Sequence, residues 1–127
     1  MTVQLNHTIV WCRDKVRSAT FLAKMLGRPA PKPFYNFVVI ELDNEVSLDF
    51  LEKEEETITP QHYAFLIGED DFDASFAHIR AAGLPYWADP ARSHPCTINH
   101  HDGGRGVYFE DPDGHLLEVI TRPYGNG

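Results

Sequence analysis

The sequence repeats one plan twice, and this repeat limits the possible folds more than any other feature. Asn6-His7-Thr8-Ile9-Val10 is matched in the second half by Gln61-His62-Tyr63-Ala64-Phe65, so that each half begins with an amide, a histidine and a strand. Gly27 and Gly83 follow these histidines at nearly the same distance. A repeated unit of this size buries its sheet face only by pairing with its neighbour, which predicts two modules in one domain.

Each half is predicted to be a β-α-β-β-β module. The two modules span about residues 1–56 and 57–127 of a single domain covering residues 1–127. In the first helix, capped by Asp14, apolar residues recur at helical spacing; the second is predicted to be capped by Asp70 or Asp71. Three prolines at positions 29, 31 and 33 predict irregular structure up to a strand that begins at Phe34. The predicted fold class is α+β, with one cupped mixed sheet and the helices outside.

The final hairpin, residues 106–120, carries a carboxylate where a strand should be apolar. Its turn is Asp-Pro-Asp-Gly, residues 111–114, and the following strand places Leu116, Glu118 and Ile120 on one face. A carboxylate that points toward a buried surface is costly unless it is paired or bound to a metal. Alignment of the halves places Asp49 at the position of Glu118. The paired modules are predicted to bring His7, His62 and Glu118 around a shared cavity.

This pattern resembles the vicinal oxygen chelate superfamily, which includes glyoxalase I, fosfomycin-resistance thiol transferases, bleomycin-binding resistance proteins and extradiol ring-cleaving dioxygenases. The resemblance covers nearly the whole chain and implies a divalent metal ion held by His7, His62 and Glu118. Two imidazoles and one carboxylate leave up to three positions of an octahedral ion open. Asp49 occupies the slot of a fourth ligand that glyoxalase-like members use.

A narrower match favours the dioxygenases. Asn99-His100-His101, followed by residues 107–114 and Glu118, is similar to the extradiol dioxygenase signature. The resemblance implies that His101 is an acid/base group and that Tyr108 hydrogen-bonds a bound catechol. The segment from Tyr108 to Glu118 is common across the superfamily, and only the Asn-His-His lead-in points to ring cleavage. The chain is also shorter than a typical two-domain ring-cleaving enzyme.

The expected function is metal-dependent catalysis on a small aromatic or vicinally oxygenated substrate, with extradiol ring cleavage favoured over glyoxalase-type isomerase or lyase chemistry. Fe(II) suits the first reaction, and Zn, Ni or Mn the second. Trp11, Phe50 and Leu66 are expected to face the cavity and give it an apolar wall. The alternative from another class is a metal-free protein that sequesters a drug, as the bleomycin-binding members do.

Composition narrows the range of partners. The formal net charge is −8 and no Lys/Arg cluster is present, which argues against nucleic acid. Two cysteines without a CxxC pair argue against a disulfide framework. Without a membrane-length apolar run or an export signal, we expect a cytoplasmic protein, and small members of the superfamily commonly form homodimers. The sequence leaves open whether His7 meets His62 and Glu118 of its own chain or of a partner.

Four further expectations concern the surface. The charged run from Glu52 to Glu56 is predicted to be a solvated connector, and residues 122–127 a loose tail. His115 is predicted to lie at the surface beside the hairpin turn, and His78 to be solvated on the second helix.

Overall fold

The computed structural model describes residues 2–54 and 57–124. The chain groups into two compact units, of which the first extends to Ile58 and the second begins at Thr59; the short segment Met25–Gly27 groups with the second. Part of the predicted connector, residues 55–56, and the end of the predicted tail, residues 125–127, lie outside the described residues.

The first unit contains one helix and a four-stranded mixed sheet. Its elements are β1 (His7–Cys12), α1 (Lys15–Met25), β2 (Lys32–Phe34), β3 (Phe37–Glu41) and β4 (Ser47–Glu52). The strand order is β1-β4-β3-β2. β1 runs parallel to β4, and the remaining neighbours are antiparallel. The parallel pair requires a crossover, which α1 and the following strands provide.

The second unit repeats this plan. Its elements are β5 (His62–Leu66), α2 (Glu69–Ala81), β6 (Tyr86–Trp87), β7 (Gly106–Glu110) and β8 (Leu116–Ile120), in the order β5-β8-β7-β6. β5 is again parallel to β8, and β8-β7-β6 is antiparallel. A short 3₁₀ turn, His101–Gly103, interrupts the long segment between β6 and β7. The predicted α+β class and the β-α-β-β-β order of each module are therefore confirmed.

The two faces of each sheet differ in burial. In β1 and β5 the residues that follow the histidines alternate, so that Val10 and Phe65 are buried whereas His7 and His62 are exposed. Buried side chains from the same faces and from the helices form the apolar cores; they include Leu22, Val38, Leu48, Phe50, Phe72, Ile79, Phe109, Leu117 and Val119. His7 and His62 therefore lie on the sheet face opposite the buried Val10 and Phe65.

The two helices begin differently, and one capping prediction was wrong. Asp14 caps α1 as predicted, because its Oδ1 accepts a hydrogen bond from the Arg17 N–H at 3.0 Å. The N-cap of α2 is Gly68, with no side-chain cap, and Asp70 and Asp71 lie within its first turn. These carboxylates favour the helix through its dipole rather than through a capping bond.

A short strand lies where the prolines predicted irregular structure. β2 pairs antiparallel with β3, and Pro33 stands opposite Val38. Proline is tolerated there because β2 is the edge strand of its sheet, where one side of the backbone has no neighbour to receive an N–H. This strand is the second strand of the first module, equivalent to β6 in the second.

The prediction that His115 lies at the surface was also wrong. Its side chain is fully buried, and its Nδ1 accepts a hydrogen bond from the backbone N–H of Gln61 at 2.9 Å. The ring meets that of Tyr63 edge-on. His115 therefore belongs to the packed side of the second sheet and ties the start of β8 to the start of β5.

In the parts of the chain that the structure describes, neither helix has the length and apolarity needed to cross a membrane.

Candidate metal site

Strand register assembles the candidate site on the histidine-bearing face of the second sheet. Glu118 on the central strand β8 stands between Ala64 of β5 and Tyr108 of β7. His62 begins β5, two residues before Ala64, so it lies on the same face of the sheet as Glu118. A histidine, a carboxylate and a tyrosine from three adjacent strands therefore share one face.

The His62 and Glu118 side chains meet directly. Nε2 of His62 is 3.2 Å from Oε1 of Glu118, and the Glu118 side chain is 0% exposed. Within the described residues, neither carboxylate oxygen accepts a hydrogen bond of normal geometry. Because an unpartnered buried carboxylate is among the most costly groups in a protein, this pair requires either a proton or a cation between its members.

The partner of His62 Nδ1 determines whether Nε2 presents a proton or a lone pair to the Glu118 carboxylate. Nδ1 lies 2.9 Å from the backbone carbonyl oxygen of Leu116. A carbonyl only accepts, so Nδ1 carries the proton and, in the neutral ring, Nε2 presents a lone pair to Glu118. Two acceptors facing each other are the arrangement that a metal ion stabilises, and metal-ligating histidines typically donate their second N–H in this way. At ligand distances of about 2.0–2.2 Å, two adjacent ligands lie about 3 Å apart. The residues therefore fit a bound divalent ion.

Burial and the neighbouring side chains have opposite effects on the pKa of Glu118. Burial raises the pKa of the Glu118 carboxyl, whereas the nearby Tyr108 hydroxyl, the His62 ring and the His101 ring each act to lower it. The raised pKa indicates that the protein groups around Glu118 do not fully compensate its charge in the absence of a cation.

Tyr108 lies next to both His62 and Glu118. It is 5% exposed, and its ring stacks on that of His62 with centroids 5.9 Å apart. Its hydroxyl is 2.9 Å from the hydroxyl of Tyr124. Burial, followed by the proximity of Glu118, raises the pKa of the Tyr108 phenol, so the hydroxyl keeps its proton and can donate it in a hydrogen bond.

His101 is presented by the segment before β7. Asn99 fixes that segment, since it exchanges two backbone hydrogen bonds with Gly106 and its side-chain amide donates to the Ala88 carbonyl. The Asn99 Oδ1 lies 3.3 Å from the backbone N–H of His101. The His101 ring is exposed, yet close enough to lower the pKa of Glu118. It is therefore placed at the edge of the site.

In the first unit, Nδ1 of His7 faces a hydrogen-bond acceptor, as Nδ1 of His62 does in the second. Its Nδ1 lies 2.7 Å from Asn6 Oδ1, an acceptor, which leaves Nε2 with the lone pair in the neutral ring. Asp49 lies on the same face of that sheet, opposite Ile9, and its Oδ1 accepts a hydrogen bond from the Ser47 hydroxyl at 3.0 Å. Asn6, the amide that precedes the histidine, thus fixes the tautomer of His7 in the first module.

The three residues predicted to line the cavity are placed differently. Trp11 lies on the His7 face of β1 and Leu66 on the His62 face of β5, and they are 37% and 60% exposed. Phe50 is buried in the core and pairs with Val10 on the opposite face of the sheet. Phe50 is therefore a packing residue of the first unit, and its expected contact with substrate is not retained.

Across residues 2–54 and 57–124 of one chain, no group of three or more His, Cys, Asp or Glu side chains is positioned to hold a metal ion. His62 and Glu118 therefore form a candidate site of two side chains.

The family model of the glyoxalase/bleomycin resistance protein/dioxygenase superfamily matches residues 4–119. The chain belongs to this superfamily. Within the superfamily, Oxidase ChaP-H2 has a solved structure that is 61% identical, with a TM-score of 0.95 over 100% of this chain and 99% of that one. Oxidase ChaP-H1 is 56% identical, with a TM-score of 0.96 over 98% of this chain and 100% of the other. Glutathione transferase FosA of Serratia marcescens is 28% identical over 125 residues, which are 94% of this chain and 81% of that protein.

Sequence reasoning missed one residue that contacts the candidate site. Tyr124 falls in the predicted loose tail, yet its hydroxyl reaches Tyr108. The one available signal was an aromatic residue shortly after the last strand, and a pattern of alternation does not extend to a residue outside a strand.

Proposed function

We propose that the protein is a divalent-metal-dependent oxidase that cleaves a small, vicinally oxygenated aromatic substrate in the manner of an extradiol dioxygenase. Its main support is Glu118, a fully buried carboxylate that accepts no hydrogen bond of normal geometry from the described residues. It lies 3.2 Å from a histidine nitrogen that, in the neutral ring, presents a lone pair. This arrangement is costly in a binding protein without a metal and is resolved by a cation.

The relatives favour oxidation within the superfamily. The two proteins that are 56% and 61% identical over essentially the whole chain are both named oxidases. The FosA relative is a glutathione transferase at 28% identity. Since the higher identity lies with the oxidases, oxidative chemistry is preferred over thiol transfer.

His62 and Glu118 are the proposed ligands of the metal, with His7 as the third. Fe(II) is the favoured ion, because two imidazoles and one carboxylate are the donors of non-haem iron oxygenases; Mn, Zn and Ni are the other candidates. When bound, the ion would act as a Lewis acid toward adjacent substrate oxygens and leave positions for a second reactant. Asp49, at the equivalent position of the first sheet, is the residue from which a fourth ligand would come.

The remaining residues bind the substrate and move protons. The Tyr108 hydroxyl, which retains its proton, donates a hydrogen bond to a substrate oxygen. His101, exposed at the edge of the site, accepts a proton from the substrate hydroxyl and returns it later. Leu66, on the His62 face of β5, and Trp11, on the His7 face of β1, supply apolar contact surface for a planar ring.

Oxygen uptake tests the proposed function. Protein reconstituted with Fe(II) under anaerobic conditions is mixed with a panel of catechols in aerated buffer, and oxygen consumption and product absorbance are followed. We expect one mole of oxygen consumed per mole of ring-cleaved product, and no consumption with Zn-loaded protein. Turnover only of thiol–aldehyde adducts, with Ni, Zn or Mn, would instead assign a glyoxalase-type reaction. Tight binding of an aromatic drug by protein that retains no metal would assign a sequestering protein.

We also propose that the chain forms a homodimer. Ile9, Trp11 and Leu66 are large apolar residues exposed on the histidine-bearing faces, and such surface is typically covered by a partner or a ligand. Sedimentation equilibrium should give twice the 14.4 kDa chain mass. A monomer at micromolar concentration would contradict the proposal.

A further inference from the structure

We propose that Tyr124 is a positioning residue of this site, whose hydroxyl sets the direction in which the Tyr108 hydroxyl donates its proton. The inference rests on the proposed function, because Tyr108 is there the group that contacts the substrate. It assigns a specific task to a residue outside every strand and helix.

The contact itself is short and selective. The two hydroxyl oxygens are 2.9 Å apart, the normal length of a hydrogen bond. Tyr108 is 5% exposed, whereas Tyr124 is 49% exposed. The buried hydroxyl thus has few alternatives to this partner, and the half-exposed one can also reach water.

The surroundings of Tyr108 decide which hydroxyl donates. Each hydroxyl has one proton, and a phenolic proton rotates about its C–O bond to suit its partners. Tyr108 also stands directly opposite Glu118 on the neighbouring strand, and the Glu118 carboxylate only accepts. The favourable order is therefore Tyr124 donating to Tyr108, with the Tyr108 proton directed toward the side of Glu118 and His62. A substrate oxygen that arrives on that side meets a proton already in place.

Hydrogen bonds and close packing at Thr121 limit where Tyr124 can lie. Thr121, three residues earlier, donates its backbone N–H to the Arg105 carbonyl and accepts the Arg105 N–H at its Oγ1. A Cβ on Gly104 would lie 2.6 Å from Thr121 Oγ1, so only glycine fits against this junction. The segment leaves β8 in a fixed direction, which limits the positions that Tyr124 can take.

Without the Tyr124 hydroxyl, the Tyr108 proton would be free to rotate to other acceptors or to water. The ring of Tyr108 would stay in place, since it is held by burial and by stacking on His62. The loss should therefore affect ligand hydrogen bonding and not metal retention.

A double-mutant cycle measures this coupling. Wild type, Tyr124→Phe, Tyr108→Phe and the double variant are loaded with zinc, which binds without turnover, and titrated with 4-nitrocatechol by its visible absorbance. Each substitution removes one oxygen and keeps the ring. Tyr35→Phe, at an exposed turn, is the matched control.

We expect Tyr124→Phe to weaken 4-nitrocatechol binding about 3- to 10-fold, the usual effect of losing one hydrogen bond. In the Tyr108→Phe background the same substitution should have no effect, because the hydroxyl that it orients is gone. Zinc content should be unchanged in all variants, and Tyr35→Phe should match wild type. Rescue by Tyr124→Trp is not expected, since the indole N–H lies at a different position on the ring.

Two results would overturn the inference alone: unchanged affinity in Tyr124→Phe, or an equal loss in both backgrounds, which would mean a contact independent of Tyr108. A wild-type protein that retains no zinc or binds no 4-nitrocatechol would instead remove the proposed function, and the inference with it.

Discussion

At the scale of single residues, Glu118 shows how a site is maintained at the expense of stability. Its carboxylate is fully buried, and its oxygens accept no hydrogen bond of normal geometry from the residues that the structure describes. The His62 tautomer, fixed by the Leu116 carbonyl, offers it a lone pair instead of a proton. The side chain is thus arranged to bind a cation, and its buried charge lowers the stability of the metal-free protein.

Replacing Glu118 by glutamine should stabilise the metal-free protein at neutral pH. Burial raises the pKa of Glu118 in the folded state, so the folded protein holds this proton more tightly than the unfolded chain. Its contribution is therefore fully present below the ordinary carboxyl pKa and is lost as pH rises through the folded pKa. At pH 7.5 with chelator, we expect Glu118→Gln to unfold in urea with a free energy about 1–3 kcal/mol above wild type.

The difference between Glu118→Gln and wild type should shrink as the pH is lowered toward 4.5. Glu41→Gln, at an exposed strand end, is the control and should stay within about 0.5 kcal/mol of wild type at each pH. A glutamine variant that is less stable than metal-free wild type at pH 7.5 would show that the protein alone satisfies the carboxylate.

The neighbouring histidines His100 and His101 should separate catalysis from metal retention. His101 lies near enough to Glu118 to influence its pKa, whereas no such influence connects His100 with the site among the described residues. Loss of a general acid/base typically slows turnover about 10²- to 10⁴-fold. We therefore expect His101→Ala to keep its iron and lose turnover to this extent, with His100→Ala close to wild type in both. Equal activity of the two variants in the oxygen-uptake assay would exclude His101 from proton transfer.

At the scale of elements, local signals predicted most helices and strands but not their detailed ends. Asp14 precedes α1 and caps it, and the Asp-Pro-Asp-Gly turn joins β7 to β8 as the sequence indicated. The same reasoning failed at α2, where Asp70 and Asp71 both satisfy a capping pattern and the backbone uses Gly68 instead. Composition alone does not decide among adjacent candidates.

The two helix starts therefore give a paired test. Asp14→Ala removes the hydrogen bond to the Arg17 N–H and should lower the free energy of unfolding by about 1 kcal/mol. Asp70→Ala removes only a favourable charge near the α2 dipole and should cost a few tenths of a kcal/mol. Urea denaturation of both variants measures the difference. A larger loss in Asp70→Ala would mean that its carboxylate caps α2 in solution.

Other features of the elements were beyond sequence reasoning because they depend on neighbouring strands. β2 was missed, since Pro33 is compatible with a strand only at a sheet edge, and edges are a property of the assembled sheet. Phe50 was assigned to the cavity, because alternation separates two faces without showing which one the core covers. His115 looked like a turn residue and is instead fully buried.

At the scale of the whole molecule, the internal repeat was the most informative signal. It predicted two β-α-β-β-β modules and singled out His7 and His62 at equivalent positions of the first strands, with Glu118 on the last strand. The structure places His62 and Glu118 in contact and gives His7 the same Nδ1 arrangement as His62. Tyr124 was not found, because no periodic pattern reaches a residue after the last strand, and its partner is determined by tertiary structure.

The metal content of the protein tests the central claim most directly. Wild type, His62→Ala, Glu118→Ala and the control His100→Ala are reconstituted anaerobically with Fe(II), desalted and analysed by mass spectrometry of the metal. Removing one of the three proposed protein ligands should leave too few donors to retain the ion. Wild type and His100→Ala should therefore hold about one ion per chain, and the two ligand variants less than about a tenth of one. Full metal content in either ligand variant, or less than about a tenth of an equivalent in wild type, would contradict the assignment of His62 and Glu118 as metal ligands.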